Sequence, residues 1–454
     1  MNQTAILPRW CRLALLACAL AAVVFLLTRC NHGRAEYDRR IAALRAAGEP
    51  VTTADCAARY PTLPPERDFR RLLRSVLPAS SDPLANPYLA VGPAADRVRA
   101  LANREPFAPG LLEQVRLELA SNAAPVELLL RTDLTGFGFV HQWTNGLSPT
   151  YNFGNNDDDV PQRINLGRVL ALQAAYEAEL GNGPRAATAL VRGFQVAHLP
   201  AQVGTLTVVG QLRSEGFVLL AVERALNRTR LTDDDLGRLG EALPRPCELL
   251  RESLLVEQAM RINWWNEPFP LSDLNGPVVL SDWAKGMRWG YGGRLRLLDR
   301  WAGRLAATRL PMREQLAAIA VIDRDLLRLL PAARPTTFGG GLRTFLDRDY
   351  ALLWLTEAKL ASLFNDNAWN LAGLANAQAA VAIERWRLAH PGRLPDALGE
   401  LVPTYLTAMP LDPYDGQPIR YKKLPVGYVV YSVGTGWTDQ GERSGSAITL
   451  TVER

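Results

Sequence analysis

Apolar residues recur every three or four positions along most of the chain, the spacing that places them on one face of an α-helix. The sequence therefore predicts a helical body over residues 105–368. Its predicted helices run from Leu111 to Leu119, Pro125 to Arg131, Ile164 to Leu180, Pro184 to His198, Val203 to Asn227, Asp233 onward, Cys247 to Trp265, Asp282 to Thr308, Met312 to Leu330 and Leu342 to Leu363. Gly181, Asn182 and Gly183 separate the third helix from the fourth, which predicts a helical hairpin.

The pattern changes near the end of the chain, where residues 369–454 predict a small α+β module. A last helix from Trp369 to Ala389 precedes three β-branched and aromatic runs, which predict a three-stranded antiparallel sheet: Ile419 to Lys423, Tyr428 to Val433 and Ile448 to Val452. The helix carries an apolar stripe formed by Leu371, Leu374, Val381 and Leu388. We expect this stripe to pack on the sheet.

A membrane segment is predicted near the other end. Leu13 to Leu27 is an uncharged apolar run, with Arg9 and Arg12 before it and Arg29 after it. With its flanking residues the run is long enough to cross a bilayer, so residues 1–34 are predicted to be an anchor whose partner is the lipid bilayer. A cleaved signal peptide is the alternative, because small residues occur at suitable spacing. They fall inside the apolar run rather than after it, which favours an anchor that stays in the mature protein.

Residues 35–104 connect the anchor with the body. A charged, alanine-rich segment from Ala35 to Ala47 predicts a juxtamembrane helix, and six prolines between Pro61 and Pro87 predict a linker region with one short helix. In the body, the alanine-rich hairpin resembles one tetratricopeptide-type unit, but no repeat of that period follows. The predicted body is therefore a set of irregular helical hairpins.

Charge and cysteine content exclude some classes of protein. The chain has 51 Lys and Arg against 46 Asp and Glu, and the arginines are spread along the helices, so no nucleic acid is expected as a partner. Cys56 and Cys247 are the two cysteines of the folded part, too few for a disulfide framework or a zinc site. A single bridge and two buried thiols are both compatible with the sequence, and buried thiols are favoured.

Catalytic and metal-binding motifs are missing from the sequence. The four histidines have no ligand residue at helical spacing, and no hydrolase, zinc or phosphate-loop motif occurs. The run from Asn155 to Asp159 has the oxygens that calcium prefers, but it lacks the spacing and the glycine of a calcium loop, which favours a solvated loop. We therefore predict a protein that is not an enzyme.

Tryptophans crowd into residues 264–301. Aromatic side chains can form a platform for a sugar or a peptide, which makes four of them candidate binding residues: Trp264, Trp265, Trp283 and Trp289. An envelope enzyme, or a carbohydrate- or peptide-binding protein, is therefore the alternative function. Tryptophans that fill space between helices are commoner, so packing is the favoured role.

A series of motifs near the end of the chain carries one resemblance. The helix ending at Ala389 is followed by the loop Gly392-Arg393-Leu394-Pro395, by a turn-rich segment from Asp412 to Tyr421, and by the run from Tyr428 to Gly434. From residue 376 to 452 this order resembles the head of type II secretion system major pseudopilins of the protein G type. The whole chain looks like a membrane-anchored bacterial protein that reuses this domain.

The resemblance implies a link to an envelope or type II secretion-like assembly. In that family the loop before the last strand can hold calcium. Here Asp439 matches an acidic position, but Gly436 and Gln440 stand where acids are common, so no cofactor is expected and calcium at Asp439 is the alternative. Two features depart from the family: Leu7 to Arg12 lack its leader motif, and a long body separates the apolar run from the head. We therefore expect a non-enzymatic interaction or structural protein with protein partners.

Two observations make opposite predictions about the side of the membrane on which the body lies. Four arginines follow the apolar run within residues 29–40 and two precede it, which would leave the body in the cytoplasm. The resemblance implies the outer side of the inner membrane, and long translocated domains override a modest charge bias. We therefore expect a single-pass protein of the bacterial inner membrane with a periplasmic body.

Overall fold

The computed structural model describes residues 33–60, 63–76, 92–139, 159–200, 204–243, 249–266, 291–329 and 360–454. Over these residues the chain is mainly helical and ends in a three-stranded antiparallel sheet, which confirms this part of the predicted fold class. The predicted anchor, Leu13 to Leu27, lies outside the described residues, as does most of the acidic run from Asn155 to Asp159.

Fourteen α-helices lie within the described residues: α1 (Arg34–Ala46), α2 (Thr53–Arg59), α3 (Phe69–Arg74), α4 (Pro93–Ala100), α5 (Pro109–Ala120), α6 (Ala123–Arg131), α7 (Asp159–Glu179), α8 (Gly183–Ala197), α9 (Thr205–Arg228), α10 (Asp233–Ala242), α11 (Leu249–Asn266), α12 (Tyr291–Ala307), α13 (Met312–Leu329) and α14 (Ala361–Ala389). Short 3₁₀ helices span Pro65–Arg67, Leu398–Leu401 and Gly434–Gly436. The strands are β1 (Arg420–Lys423), β2 (Tyr428–Ser432) and β3 (Ile448–Val452). The three predicted strands are thus confirmed to within one residue at each end.

The segment before the body contains more helix than its prolines predict. Helix α2 begins with a capping box, in which the Asp55 amide donates to Thr52 Oγ1 at 3.1 Å and the Thr52 amide donates to Asp55 Oδ2 at 2.9 Å. Helix α4 begins at Pro93, a position where proline is favoured. Within α2, Cys56 is a buried free thiol as expected, and burial raises its pKa to about 12. Cys247 lies outside the described residues.

The predicted hairpin is confirmed as α7 and α8, which pack with α9 at the centre of the body. Glycines let these helices approach closely. A methyl group added at Gly167 would lie 2.1 Å from Ser214 Oγ, and one at Gly193 would lie 2.7 Å from Val218 Cγ2. Side chains at these positions would separate the helices, so the small residues set the spacing of the body.

A buried arginine closes the end of this hairpin. Arg163 of α7 is almost fully buried, and its guanidinium donates to the Ala197 carbonyl at 2.6 Å and to the Leu199 carbonyl at 2.9 Å. The last carbonyls of a helix have no partner within the helix and carry partial negative charge. Arg163 therefore satisfies the C-terminal end of α8 and fixes where the chain leaves it.

Helix α14 joins the body to the C-terminal module. It begins at Ala361, eight positions before the predicted start at Trp369, so the predicted division between residues 368 and 369 falls inside this helix. It contacts α9, α10 and α13 of the body as well as β2 and β3. One apolar cluster accordingly runs from Phe69 in α3 to Val452 in β3.

The predicted packing of the α14 stripe on the sheet is wrong. Leu374 and Val381 are buried, but they face α10, where a methyl group at Gly240 would lie 3.6 Å from Val381 Cγ1. Leu388 is 49% exposed. The sheet packs instead on a face of small and polar residues, where Tyr428 Oη donates to the Ala380 carbonyl at 3.2 Å. The stripe was predicted from the positions of bulky residues. The sheet packs on a different face of α14, where small side chains let the strands come close to the helix backbone.

One edge of the sheet is covered by helix α9. The strand order is β1-β2-β3, so β3 has a free side, and two α9 side chains bind it. Glu223 Oε1 accepts from the Thr451 amide at 3.1 Å, and Asn227 donates to the Thr451 carbonyl at 2.7 Å and accepts from the Glu453 amide at 2.9 Å. Burial raises the pKa of Glu223. These bonds satisfy backbone groups that an exposed edge would leave open to another strand.

Replacing Asn227 by alanine should loosen the module from the body. The Thr451 carbonyl and the Glu453 amide would lose their partner, which costs about 1–3 kcal/mol in the free energy of unfolding. Asn365→Ala is the control, because Asn365 is exposed and donates to the Ala361 carbonyl of its own helix rather than to the sheet. Urea denaturation measures both variants, and equal losses would contradict a special role for Asn227.

Val381→Asp should destabilise the protein by more than about 3 kcal/mol, because it puts an unpaired carboxylate between α14 and α10. Leu388→Asp is the matched control, since Leu388 belongs to the same predicted stripe but is half exposed. Thermal melting of both variants checks this expectation. Similar melting of the Val381 variant and the wild type would show that the α10–α14 contact is not a tight one.

Candidate functional site

A groove of about 1450 Å³ lies where the body meets the C-terminal module. Helices α8, α10 and α14 form three of its sides, and the segment from Tyr405 to Pro413 forms the fourth. Its lining is mainly apolar and includes Phe194 of α8, Leu374 of α14 and Leu411 of the segment. Leu411 is 58% exposed, so the rim of the cleft presents an apolar side chain to the solvent. We refer to this cleft as the junction groove.

The fourth side of the junction groove is held by a buried aspartate. Asp412 is fully buried and accepts hydrogen bonds from Ser432 Oγ at 2.8 Å, from the Val433 amide at 2.8 Å and from the Tyr414 amide at 3.0 Å. These bonds tie the segment to the end of β2. Leu411, the residue before Asp412, is therefore held at the rim of the groove although its side chain is exposed.

Polar side chains lie on opposite sides of the groove. His198, which follows α8, lies 2.8 Å from Glu215 Oε2 and 3.2 Å from Gln211, both on α9. On α14, Arg385 Nε donates to Asp233 Oδ1 at 2.8 Å, and this bond lowers the pKa of Asp233. His198 and Glu215 are 17 positions apart in the chain. No short-range motif has this spacing, so the sequence did not predict the pair.

The described lining of the groove contains His198 and few groups that could act as nucleophiles. Among the described residues that line it, none is a serine, a cysteine or an aspartate, and its hydroxyl groups belong to Tyr405 and Thr407. Both ring nitrogens of His198 already have hydrogen-bond partners, Glu215 and Gln211. The arrangement is suited to binding an apolar segment.

The predicted calcium ligand Asp439 is held by other groups. Tyr431 Oη donates to it at 3.2 Å, the Gly441 amide donates at 2.9 Å, and Arg420 Nε lies 3.8 Å away. Within the described ranges no group of three or more His, Cys, Asp or Glu residues could hold a metal ion. The nearest cation to Asp439 is thus a guanidinium of the protein itself.

Arg420 gathers three carboxylates at the end of the sheet. Besides Asp439, it donates to Asp412 Oδ2 at 2.8 Å and to Asp415 Oδ1 at 3.1 Å. Burial favours the neutral form of Asp415, yet the hydrogen bonds from Arg420 and from the Gln417 amide outweigh it and lower the pKa of this carboxyl. Arg420 therefore supplies a positive charge beside Asp412, the acid that holds the groove segment.

The four tryptophans predicted as binding residues cannot be compared with a site, because their side chains lie outside the described part of the structure. Trp264 and Trp265 lie at the end of α11, with side chains outside the described part, and Trp283 and Trp289 lie outside it entirely. Trp301 on α12 is buried in an apolar cluster, with the Arg304 guanidinium 4.9 Å from the centre of its ring. For Trp301 the packing role is confirmed.

Comparisons with known proteins supply no relative: no family model, no curated protein and no solved structure matches the chain. Among the described residues, one helix, α9, is long and apolar enough to cross a membrane by length and composition alone. Just over half of its most apolar window, 56%, is buried inside the protein. It also contacts α7, α8, α11, α14 and β3, which are the contacts of a core helix.

Removing the Arg420 charge should destabilise the module. Arg420→Gln would leave Asp412 buried without a cation, a loss of about 3 kcal/mol. Arg443→Gln is the control, because Arg443 is 95% exposed.

Calcium at about 1 mM, the weak end of the range for extracellular modules, should leave the melting temperature of the wild type unchanged. Calcium-dependent stabilisation that disappears in Asp439→Asn would instead establish a metal site.

Proposed function

We propose that the chain is a single-pass protein of the bacterial inner membrane that binds a protein partner in the junction groove. Leu13 to Leu27 anchors it in the lipid bilayer, and the body and module act on the periplasmic side without catalysing a reaction. The observation that carries the proposal is the groove itself: a large, mainly apolar cleft with an exposed leucine at its rim and no serine or cysteine among its described lining residues.

The size of the groove favours a protein segment over a small molecule. Pockets for small molecules usually measure about 300–1,000 Å³, and they enclose most of the ligand. The junction groove is larger and is bordered by helices on three sides. Such a cleft fits the mode in which an amphipathic helix lays its apolar face into a groove.

The C-terminal module supports a role in an envelope or type II secretion-like assembly. Helix α14, a loop and three antiparallel strands follow one another in the order that the pseudopilin resemblance implies. Proteins of that family act on the outer side of the inner membrane, which is also the basis for the proposed periplasmic side. The alternative use of residues 264–301 as an aromatic platform gains no support from Trp301, which is buried.

Site-specific photo-cross-linking in intact cells tests the groove. A photoreactive phenylalanine analogue replaces Leu411 at the groove rim in the full-length protein. The control is the same replacement at Val426, which is equally exposed, at 58%, but lies in the turn between β1 and β2. We expect a discrete adduct of higher mass from position 411 alone, because only that side chain borders the groove. Adducts of equal yield at both positions, or none at 411, would overturn the proposal.

A further inference from the structure

A second, smaller pocket of about 320 Å³ opens beside the junction groove. It lies between α8 and α10, and it shares Gln195, Glu241 and Ala242 with the groove, so the two are continuous. Its distinguishing residues are two arginines, Arg192 of α8 and Arg238 of α10. We refer to it as the arginine pocket.

Arg192 has unused hydrogen-bonding capacity in this pocket. Its Nη1 donates to Gln195 Oε1 at 2.6 Å, but its buried Nε has no hydrogen-bond partner. Burial lowers the pKa of Arg192, and Arg238 lowers it further, against the opposing effect of Asp133. A buried donor of a charged group without a partner costs free energy that a bound acceptor would recover.

Arg238 has partners for only part of its guanidinium. Nη2 donates to Asp235 at 2.7 Å, and Nη1 donates to Thr188 Oγ1 at 3.4 Å. Its Nε lies 3.3 Å from Asp234 but makes no hydrogen bond, and that aspartate is 84% exposed. The arginine pocket therefore combines two guanidinium groups, each with an Nε that makes no hydrogen bond.

We propose that the arginine pocket binds a carboxylate of the partner segment that occupies the junction groove, an inference that rests on the proposed function. The Nε and Nη2 of an arginine match the two oxygens of a carboxylate. Glu241 also lines the pocket, and its charge opposes a doubly charged phosphate more than a singly charged carboxylate. Because groove and pocket are continuous, one segment can place apolar side chains in the first and an acidic side chain or its C-terminus in the second.

The carboxylate preference is tested on the full-length protein in detergent, with propionate as the probe. The buried Arg192 Nε gives an NMR signal that should shift saturably with propionate and less with inorganic phosphate at equal ionic strength. Arg192→Met removes this signal and thereby assigns it to Arg192. A larger response to phosphate would overturn the choice of carboxylate, and no response to either anion would overturn the pocket as an anion site.

The link to the partner is tested with the cross-linker at position 411. Arg192→Met should lower the yield of the adduct by about tenfold, the effect of one charge-assisted contact. Arg192→Lys keeps the charge but not the paired donors, so its adduct yield should lie between those of Arg192→Met and the wild type. Such a partial recovery would show that the loss in Arg192→Met does not come from misfolding. Arg131→Met is the control, because that arginine is 82% exposed on α6. If the adduct yield of Arg192→Met equals that of the wild type, this inference alone is overturned. If neither the wild type nor any variant gives the adduct, the proposed function is overturned.

Discussion

The fold depends on how closely other elements can approach helix α14. Alanines at positions 377, 379, 380 and 382 are buried, so the helix presents little side-chain bulk to its neighbours. The sheet can then pack on one face while α9 and α10 pack on others. Larger residues would separate the module from the body. Leu374 and Val381, two bulky residues of α14, line the junction groove on the side of α10.

Apolar contact alone would not fix the orientation of the module, because hydrophobic burial is not directional. Hydrogen bonds supply the direction. Glu223 and Asn227 of α9 bind the backbone of β3, and Arg420 with Asp412 fixes the segment that borders the groove. The covered β3 edge cannot add a strand from another chain, a restriction that distinguishes the module from a head free to assemble through that edge.

The two proposals describe one surface with two kinds of recognition. The groove would supply affinity through apolar burial, and the arginine pocket would select a segment with a correctly placed acid. His198, backed by the buried Glu215, adds a polar group to the α8 side. Under both proposals the surface recognises a partner segment through apolar contact and through charge.

The sequence by itself determined the helical body, the α7–α8 hairpin and the three strands, because periodicity, caps and turns act over a few neighbouring residues. It did not determine which face of α14 meets the sheet, since the stripe rule weights bulky residues and the sheet required small ones. The groove, the His198–Glu215 pair and the proximity of Arg192 to Arg238 were decided only by tertiary structure. Each brings together residues from different helices, and no local pattern specifies how far apart two helices lie.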